Sequence, residues 1–287
     1  MWVRALGVTL LMQVASAFLA QAMPVIAPTL TDAAGVPPEQ VGHLSSVISL
    51  GTLWFLLSGH VLLPRWGAVR VLQAGAVLGA IGALLGLAGS WPVLLATGLL
   101  IGLAYGPAPP AGSDILMRHS PRTQRALIFS IKQAGAPLGS AIAGLLLPAI
   151  VAASSWRWAL IATAIVSALP AFLVEPWRAE IDRERQPTSA GLFSELFSLR
   201  SAVLPFRVMI SRRSLLWLAG TGFSFACVQG CIFSFYVTYL STALGMSLTA
   251  AIPLLGGYGA CFLAIAVLPL ISVAVLLRVR GMIEADG

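Results

Sequence analysis

Eight stretches of about 20 apolar residues follow one another along the 287-residue chain, and they restrict its fold more than any other feature. A stretch of this length suits a helix that crosses a bilayer, where backbone N–H and C=O groups must be satisfied within the helix. Only 9% of the residues are charged, against about 25% in a typical soluble domain. The sequence predicts an all-α, polytopic transmembrane bundle with spans near residues 5–30, 41–63, 70–89, 92–117, 126–152, 157–175, 214–241 and 250–277.

The basic residues lie almost entirely on one side of these spans. Of the 17 lysines and arginines, all but Lys132 and Arg157 precede the first span, follow the eighth, or fall in alternate connecting segments. Because positively charged loops are retained in the cytoplasm, both termini are predicted to be cytoplasmic. The net charge of +7 does not indicate a nucleic-acid partner, since the charges lie between apolar spans and not on a soluble domain.

A weak internal repeat relates the first three spans to the next three. The matched pairs are Thr31 with Ser113 and Asp32 with Asp114, at an offset of 82 residues, and Ser46 with Ser130 and Gly51 with Gly135, at an offset of 84. Because a repeat of three spans contains an odd number of crossings, its second copy is inverted relative to the membrane. Inverted three-helix repeats with a site between them are typical of secondary transporters.

Lys132, the only lysine of the chain, falls inside the fifth predicted span. A charge at membrane depth is costly and indicates a functional position, here a cation that meets an anionic solute. The alternative is a lysine that extends to the cytoplasmic interface, which lies about 10 Å away. Its neighbour Gln133 and polar or aromatic residues of other spans are candidates for the same cavity, and each could instead join helices through hydrogen bonds. These candidates are Gln133, Tyr105, Gln13, Gln21, Gln229 and Tyr236.

Three charged residues flank the turn between the fourth and fifth spans. Asp114 is four residues from Arg118 and close to Arg125, so an ion pair with either arginine is predicted, structural or gating in role. The chain has no G-x-S-x-G, H-E-x-x-H or Walker motif, and its three cysteines lack metal-ligand neighbours. The sequence thus predicts no enzyme, cofactor or metal site, and no ATP-driven pump.

Two blocks of the chain resemble the major facilitator superfamily. In HVLLPRWGAVR, Arg65, Gly67 and Arg70 match the family's signature loop, whereas Pro64 stands at its acidic position. In the second block, Asp114 and Arg125 match the residues that flank the fourth-to-fifth turn, and SIKQAGAPLG resembles a bacterial branch similar to cyanate and oxyanion carriers. The resemblance implies gating or structural ion pairs at Arg65 and Arg70, and a location in the bacterial inner (plasma) membrane.

The same resemblance implies twelve spans in two six-helix halves, whereas this chain has six spans, a linker and two more. The expected domains are a six-helix bundle at 1–175, a cytoplasmic linker at 176–213 and an incomplete second half at 214–287. The leading hypothesis is secondary active transport of a small anionic solute by alternating access. The alternative is a shortened, non-transporting remnant. Proton or ion coupling is left open, as is self-association of two copies that would supply the missing helices.

Overall fold

The computed structural model describes residues 1–183, 203, 206–207 and 209–242. This part of the chain is built of α-helices and short 3-10 turns and contains no β-strand. Six of its helical segments are long and apolar enough to cross a membrane. The all-α, multi-span prediction is confirmed, and each of the first six predicted spans coincides with one of these segments.

The first three spans are formed by helices α1 to α4. Their bounds are α1 (Trp2–Ala34), α2 (Val41–Ser58), α3 (Leu62–Trp66) and α4 (Ala68–Leu85). Helix α1 continues through Pro24 and Pro28, and it ends where Gly35 takes the left-handed conformation. The second span, predicted to reach residue 63, ends at Ser58, and a 3-10 turn then leads into the short α3.

The next three spans are formed by helices α5 to α8, and the short α9 follows them. Their bounds are α5 (Trp91–Tyr105), α6 (Ala108–His119), α7 (Arg125–Ala153), α8 (Trp156–Leu173) and α9 (Glu175–Ile181). The fourth span, predicted as one helix, is interrupted between Tyr105 and Ala108, where Pro107 provides no backbone N–H to continue the hydrogen-bond ladder.

A second compact unit begins at Leu199, and the first extends from Met1 to Ser198. Within the described part of the second unit, α10 (Arg213–Thr242) corresponds to the predicted seventh span. The predicted eighth span, at 250–277, lies outside the described residues. The expected boundaries at 175 and 213 stay a prediction.

The six spans of the first unit pack mainly in three pairs: α1 against α7, α2 against α5, and α4 against α8. Buried apolar side chains of α1, including Phe18, Met23 and Ile26, form the centre of the main core. In terms of spans, the first packs on the fifth, the second on the fourth, and the third on the sixth. This pattern is unchanged when spans one to three are exchanged with spans four to six.

Glycines allow the backbones of the paired helices to come into direct contact. A Cβ placed on Gly102 of α5 would lie 3.0 Å from the Thr52 nitrogen and would collide with the Ile48 carbonyl oxygen of α2. At the same crossing, the Thr52 hydroxyl donates to the Gly102 carbonyl oxygen at 3.1 Å. One turn earlier on α5, a Cβ placed on Gly98 would lie 3.4 Å from Ile48 Cγ1, which is an ordinary van der Waals contact.

The start of α4 is capped by a carboxylate from the far end of the first unit. Backbone N–H groups of Val69 and Arg70 donate to Asp182 Oδ1 and Oδ2 at 3.0 and 3.1 Å. Gly67, at φ +90°, leaves room for this carboxylate, since a Cβ there would lie 2.7 Å from the Asp182 Cβ. Burial raises the pKa of the Asp182 carboxyl, and the two backbone N–H donors oppose that rise.

We expect Gly102→Ala to destabilise the protein by about 1–3 kcal/mol, because α2 and α5 must separate to admit the methyl group. Gly98→Ala is the matched control, and its higher helix propensity should leave stability unchanged or slightly increased. The apparent melting temperatures of the purified variants measure both effects. Equal melting temperatures for the two variants would contradict the close approach at Gly102.

We expect Asp182→Ala to destabilise the first unit by about 1–2 kcal/mol, since two N–H groups at the start of α4 lose their acceptors. Glu180→Ala is the control on the same segment. It removes an ion pair with Arg4 whose side chains are 61% and 36% exposed, and such pairs contribute little. If Glu180→Ala lowered the stability as much as Asp182→Ala, loss of the helix cap would not be the cause of the destabilisation.

The raised pKa of Asp182 predicts a pH dependence of stability. Its folded pKa lies above the ordinary 3.8, so its contribution is greatest below pH 3.8 and falls as pH rises through the folded value. The melting temperature of the wild type minus that of Asp182→Asn should therefore decrease between pH 4 and neutral pH. An increase of this difference with pH would reverse the assigned direction.

Candidate functional site

Lys132 lies on the buried stripe of α7. This stripe repeats every three or four residues, through Ile128, Lys132, Gly135 and Gly139, and faces the bundle. The Lys132 side chain is only 3% exposed. Its end lies against α6, because a Cβ placed on Gly112 would be 2.9 Å from Lys132 Cε and 3.4 Å from Nζ.

The ammonium group of Lys132 has no ionic or hydrogen-bond partner among the residues that the structure describes. A buried cation without a counter-charge is unfavourable, and in folded proteins such charges are paired. The burial of the side chain is also unlike that of a lysine that extends to the aqueous interface. No side chain of the described residues therefore neutralises the positive charge of Lys132.

Thr9 of α1 also lies near the end of Lys132, because a Cβ placed on Gly112 would be 3.9 Å from the Thr9 Cβ. Gln13 follows Thr9 by one helical turn on α1. The Gln13 side chain is 3% exposed, and its Cγ would be 3.2 Å from a Cβ placed on Gly135 of α7. Its Oε1 is buried without a hydrogen-bond partner among the described residues. The Tyr105 hydroxyl, at the end of α5, interacts with the same amide.

The structure brings only part of the predicted set together. Lys132, Gln13 and Tyr105 belong to adjoining layers between α1, α5, α6 and α7. Gln133, next to Lys132 in sequence, lies on the exposed face of α7, because consecutive residues of a helix point about 100° apart. Gln21 is half-buried, two turns from Gln13 on α1. The side chains of Gln229 and Tyr236, on α10, lie outside the described residues.

Two glycines that the sequence analysis did not assign to the site also shape it. Gly112 leaves the space occupied by the end of Lys132, and Gly135 leaves the space occupied by Gln13. Gly135 belongs to SIKQAGAPLG and Gly112 lies two residues before Asp114, so both are close to residues that the sequence analysis singled out, although this role was not predicted for them. Thr9 carried no signal, and its hydroxyl donates to the Ala5 carbonyl oxygen at 2.9 Å within α1.

The charged residues predicted near the cytoplasmic turn form two groups. Asp114 pairs with Arg118 along α6, and Arg125 donates instead to the Met117 carbonyl oxygen at 2.8 Å. Arg70 lies 3.4 Å from Glu175 at the start of α9. Arg65 is half-buried on α3.

Glu175 is the centre of the second group and was not foreseen from the sequence. Gln73 Nε2 donates to its carboxylate at 2.7 Å, and Arg178 Nε donates at 2.9 Å. These donors, Gln73 first, hold the pKa of the Glu175 carboxyl below its usual value. Within the described residues, no group of three His, Cys, Asp or Glu side chains is arranged to hold a metal ion.

Comparison with known proteins places the chain among membrane transporters. The sequence matches the Major Facilitator Superfamily over residues 9–283. The hexuronate transporter of Bacillus subtilis (strain 168) is 24% identical over 227 residues, which are 79% of this chain and 53% of that protein. Probable anion transporter 3, chloroplastic, of Oryza sativa subsp. japonica is 33% identical over 125 residues, or 42% of this chain and 24% of that protein.

Two further similarities extend this comparison. The quinolone resistance protein NorB of Staphylococcus aureus is 26% identical over 157 residues, which are 54% of this chain and 34% of that protein. A bacterial homolog of the human lysosomal transporter Spinster, inward-facing and unoccupied, matches the fold with a TM-score of 0.60 at 18% identity. That match covers 87% of this chain and 57% of the Spinster homolog.

The chain spans about half the length of the hexuronate transporter. It matches smaller parts of probable anion transporter 3 and of NorB. Its six-span unit and its resemblance in the signature loop agree with the match over residues 9–283. The protein belongs to the major facilitator superfamily, whose members are multi-pass membrane transporters and not enzymes.

Proposed function

We propose that the protein carries a small anionic solute across a membrane, with Lys132 as the cation that contacts it. The observation that supports this most is the burial of Lys132, which is 3% exposed, lies within a candidate membrane span and has no acidic partner among the described residues. A negatively charged solute would supply the missing counter-charge, which makes occupation of the site electrostatically favourable. A neutral solute would not.

The named substrates of two relatives support an anion. One relative is a hexuronate transporter and another a probable anion transporter, whereas NorB is a quinolone resistance protein. Hexuronates carry a carboxylate, and a carboxylate is a suitable partner for a buried ammonium group. The buried ammonium group of the described site therefore suits the solutes that the first two names describe.

Alternating access is the mechanism that the packing supports. The pairing of spans one with five, two with four, and three with six is compatible with an inverted repeat, because it is unchanged when the two halves are exchanged. Gly51 and Gly135, which the repeat matches, both lie at such crossings: Gly51 against α5 and Gly135 against α1. We place the site between the two repeats, in the inner membrane of a bacterial cell with both termini in the cytoplasm.

We expect the purified chain in proteoliposomes to take up a radiolabelled hexuronate. Lys132→Gln should lower uptake at limiting solute by about 10-fold or more, since a hydrogen bond to a charged group is lost. Arg122→Gln is the matched control, because it removes one positive charge from the exposed turn before α7. Its uptake should stay within about 2-fold of the wild type.

Two outcomes would contradict this proposal. Equal uptake by the wild type and Lys132→Gln would remove Lys132 from the site. A lack of flux for every anionic solute tested, in vesicles that contain folded protein, would favour the alternative of a non-transporting membrane protein.

A further inference from the structure

We infer that the site selects anions that also carry a hydroxyl group, and that Gln13 Oε1 is the atom that recognises this hydroxyl. The inference rests on the proposed function, because it names the class of anion that Lys132 would hold. It starts from a different residue and a different observation. Lys132 explains a preference for negative charge, whereas Gln13 explains a preference among anions.

The observation is a buried hydrogen-bond acceptor, Gln13 Oε1, to which no described group donates. Gln13 is 3% exposed, and its Oε1 is buried without a hydrogen-bond partner among the described residues. Buried polar atoms are nearly always hydrogen-bonded, because an unpaired acceptor loses its bonds to water and gains nothing in return. We infer that this acceptor is satisfied when a solute that enters the site donates to it.

Tyr105 is the other neighbour of this amide. The Gln13 side chain lies near the Tyr105 hydroxyl, and its Oε1 has no hydrogen-bond partner among the described residues. Oε1 is therefore the atom of this amide that we assign to the solute. The Tyr105 O–H remains able to donate to the solute as well.

The distance between Gln13 and Lys132 suits a small molecule. Thr9 borders the Gly112 position that contacts Lys132 Nζ, and Gln13 is the next residue along the same face of α1. On α7, Gly135 borders Gln13 and lies one turn from Lys132. The two polar ends are therefore separated by about one helical turn, roughly 5 Å. A carboxylate and a hydroxyl a few carbons away can reach both.

The chemistry of the three side chains then defines the ligand. Lys132 requires a negative charge, Gln13 Oε1 requires a hydrogen-bond donor, and Tyr105 can serve either end. An anion with an alkyl chain would leave Oε1 unpaired, and a neutral polyol would leave Lys132 without a counter-charge. A site with an acceptor for a solute hydroxyl discriminates strongly against analogues that lack it.

The test is a binding measurement on the full chain in nanodiscs with three six-carbon probes. Gluconate has a carboxylate and hydroxyls, hexanoate has the carboxylate alone, and glucitol has hydroxyls alone. Isothermal titration should give the wild type at least about 10-fold tighter binding of gluconate than of hexanoate, and no measurable binding of glucitol.

The variants separate the two roles. Gln13→Met, close to glutamine in size and shape, should weaken gluconate until its affinity is within about 2–3-fold of that for hexanoate. Lys132→Gln should weaken both anions. Gln124→Leu, in the exposed turn before α7, is the control and should keep the wild-type ratio. A change in this ratio is informative, since general damage to the fold would weaken both anions together.

The outcomes distinguish this inference from the proposed function. If Lys132→Gln weakens both anions but Gln13→Met keeps the gluconate preference, the role of Gln13 is wrong and anion binding stands. A wild type that binds the two anions equally also overturns the inference alone. If the wild type binds neither anion, both proposals fail. Gln13→Leu serves as a second variant should Gln13→Met lower the melting temperature.

Discussion

The absence of water in the hydrocarbon core is the constraint on which this structure depends. Each span must satisfy its own backbone hydrogen bonds, so the spans are helices, and lipid supplies no hydrophobic force that would bring them together. Helix association then relies on close backbone contact. Glycines provide it at the crossing of α2 with α5, where a Cβ on Gly51 or Gly102 would collide with main-chain atoms. They also provide it at the crossing of α1 with α7, where a Cβ placed on Gly139 would lie 3.0 Å from the Phe18 nitrogen.

The same use of small residues creates the site. Gly112 and Gly135 replace side-chain volume with space, and Lys132 and Gln13 occupy that space. Close packing and the candidate site thus depend on the same small residues, since the helices that approach through glycines also enclose two polar groups. We propose that this enclosure makes the site specific, because a buried amide oxygen and an ammonium group without a partner among the described residues respond strongly to a solute that pairs with them.

Much of the fold could be predicted from local composition, and much of the site could not. Six spans follow from apolar length alone, and Lys132 stands out because a charge within a span is rare. The break after Tyr105 and the end of α2 at Ser58 depend on how helices pack, which composition does not report. Gln133 was grouped with Lys132 by sequence proximity, whereas helical geometry places it on the exposed face. Asp182 caps a helix more than 100 residues away, a tertiary contact with no local signal.

The central claim is that an anionic solute binds directly to Lys132. Because this is the only lysine of the chain, incorporation of lysine labelled with ¹⁵N at Nζ gives a single side-chain signal. We expect this signal to shift on addition of gluconate to the protein in nanodiscs, and glucitol at the same concentration to leave it unchanged. A signal that stays in place at saturating gluconate, or that responds equally to glucitol, would contradict the account.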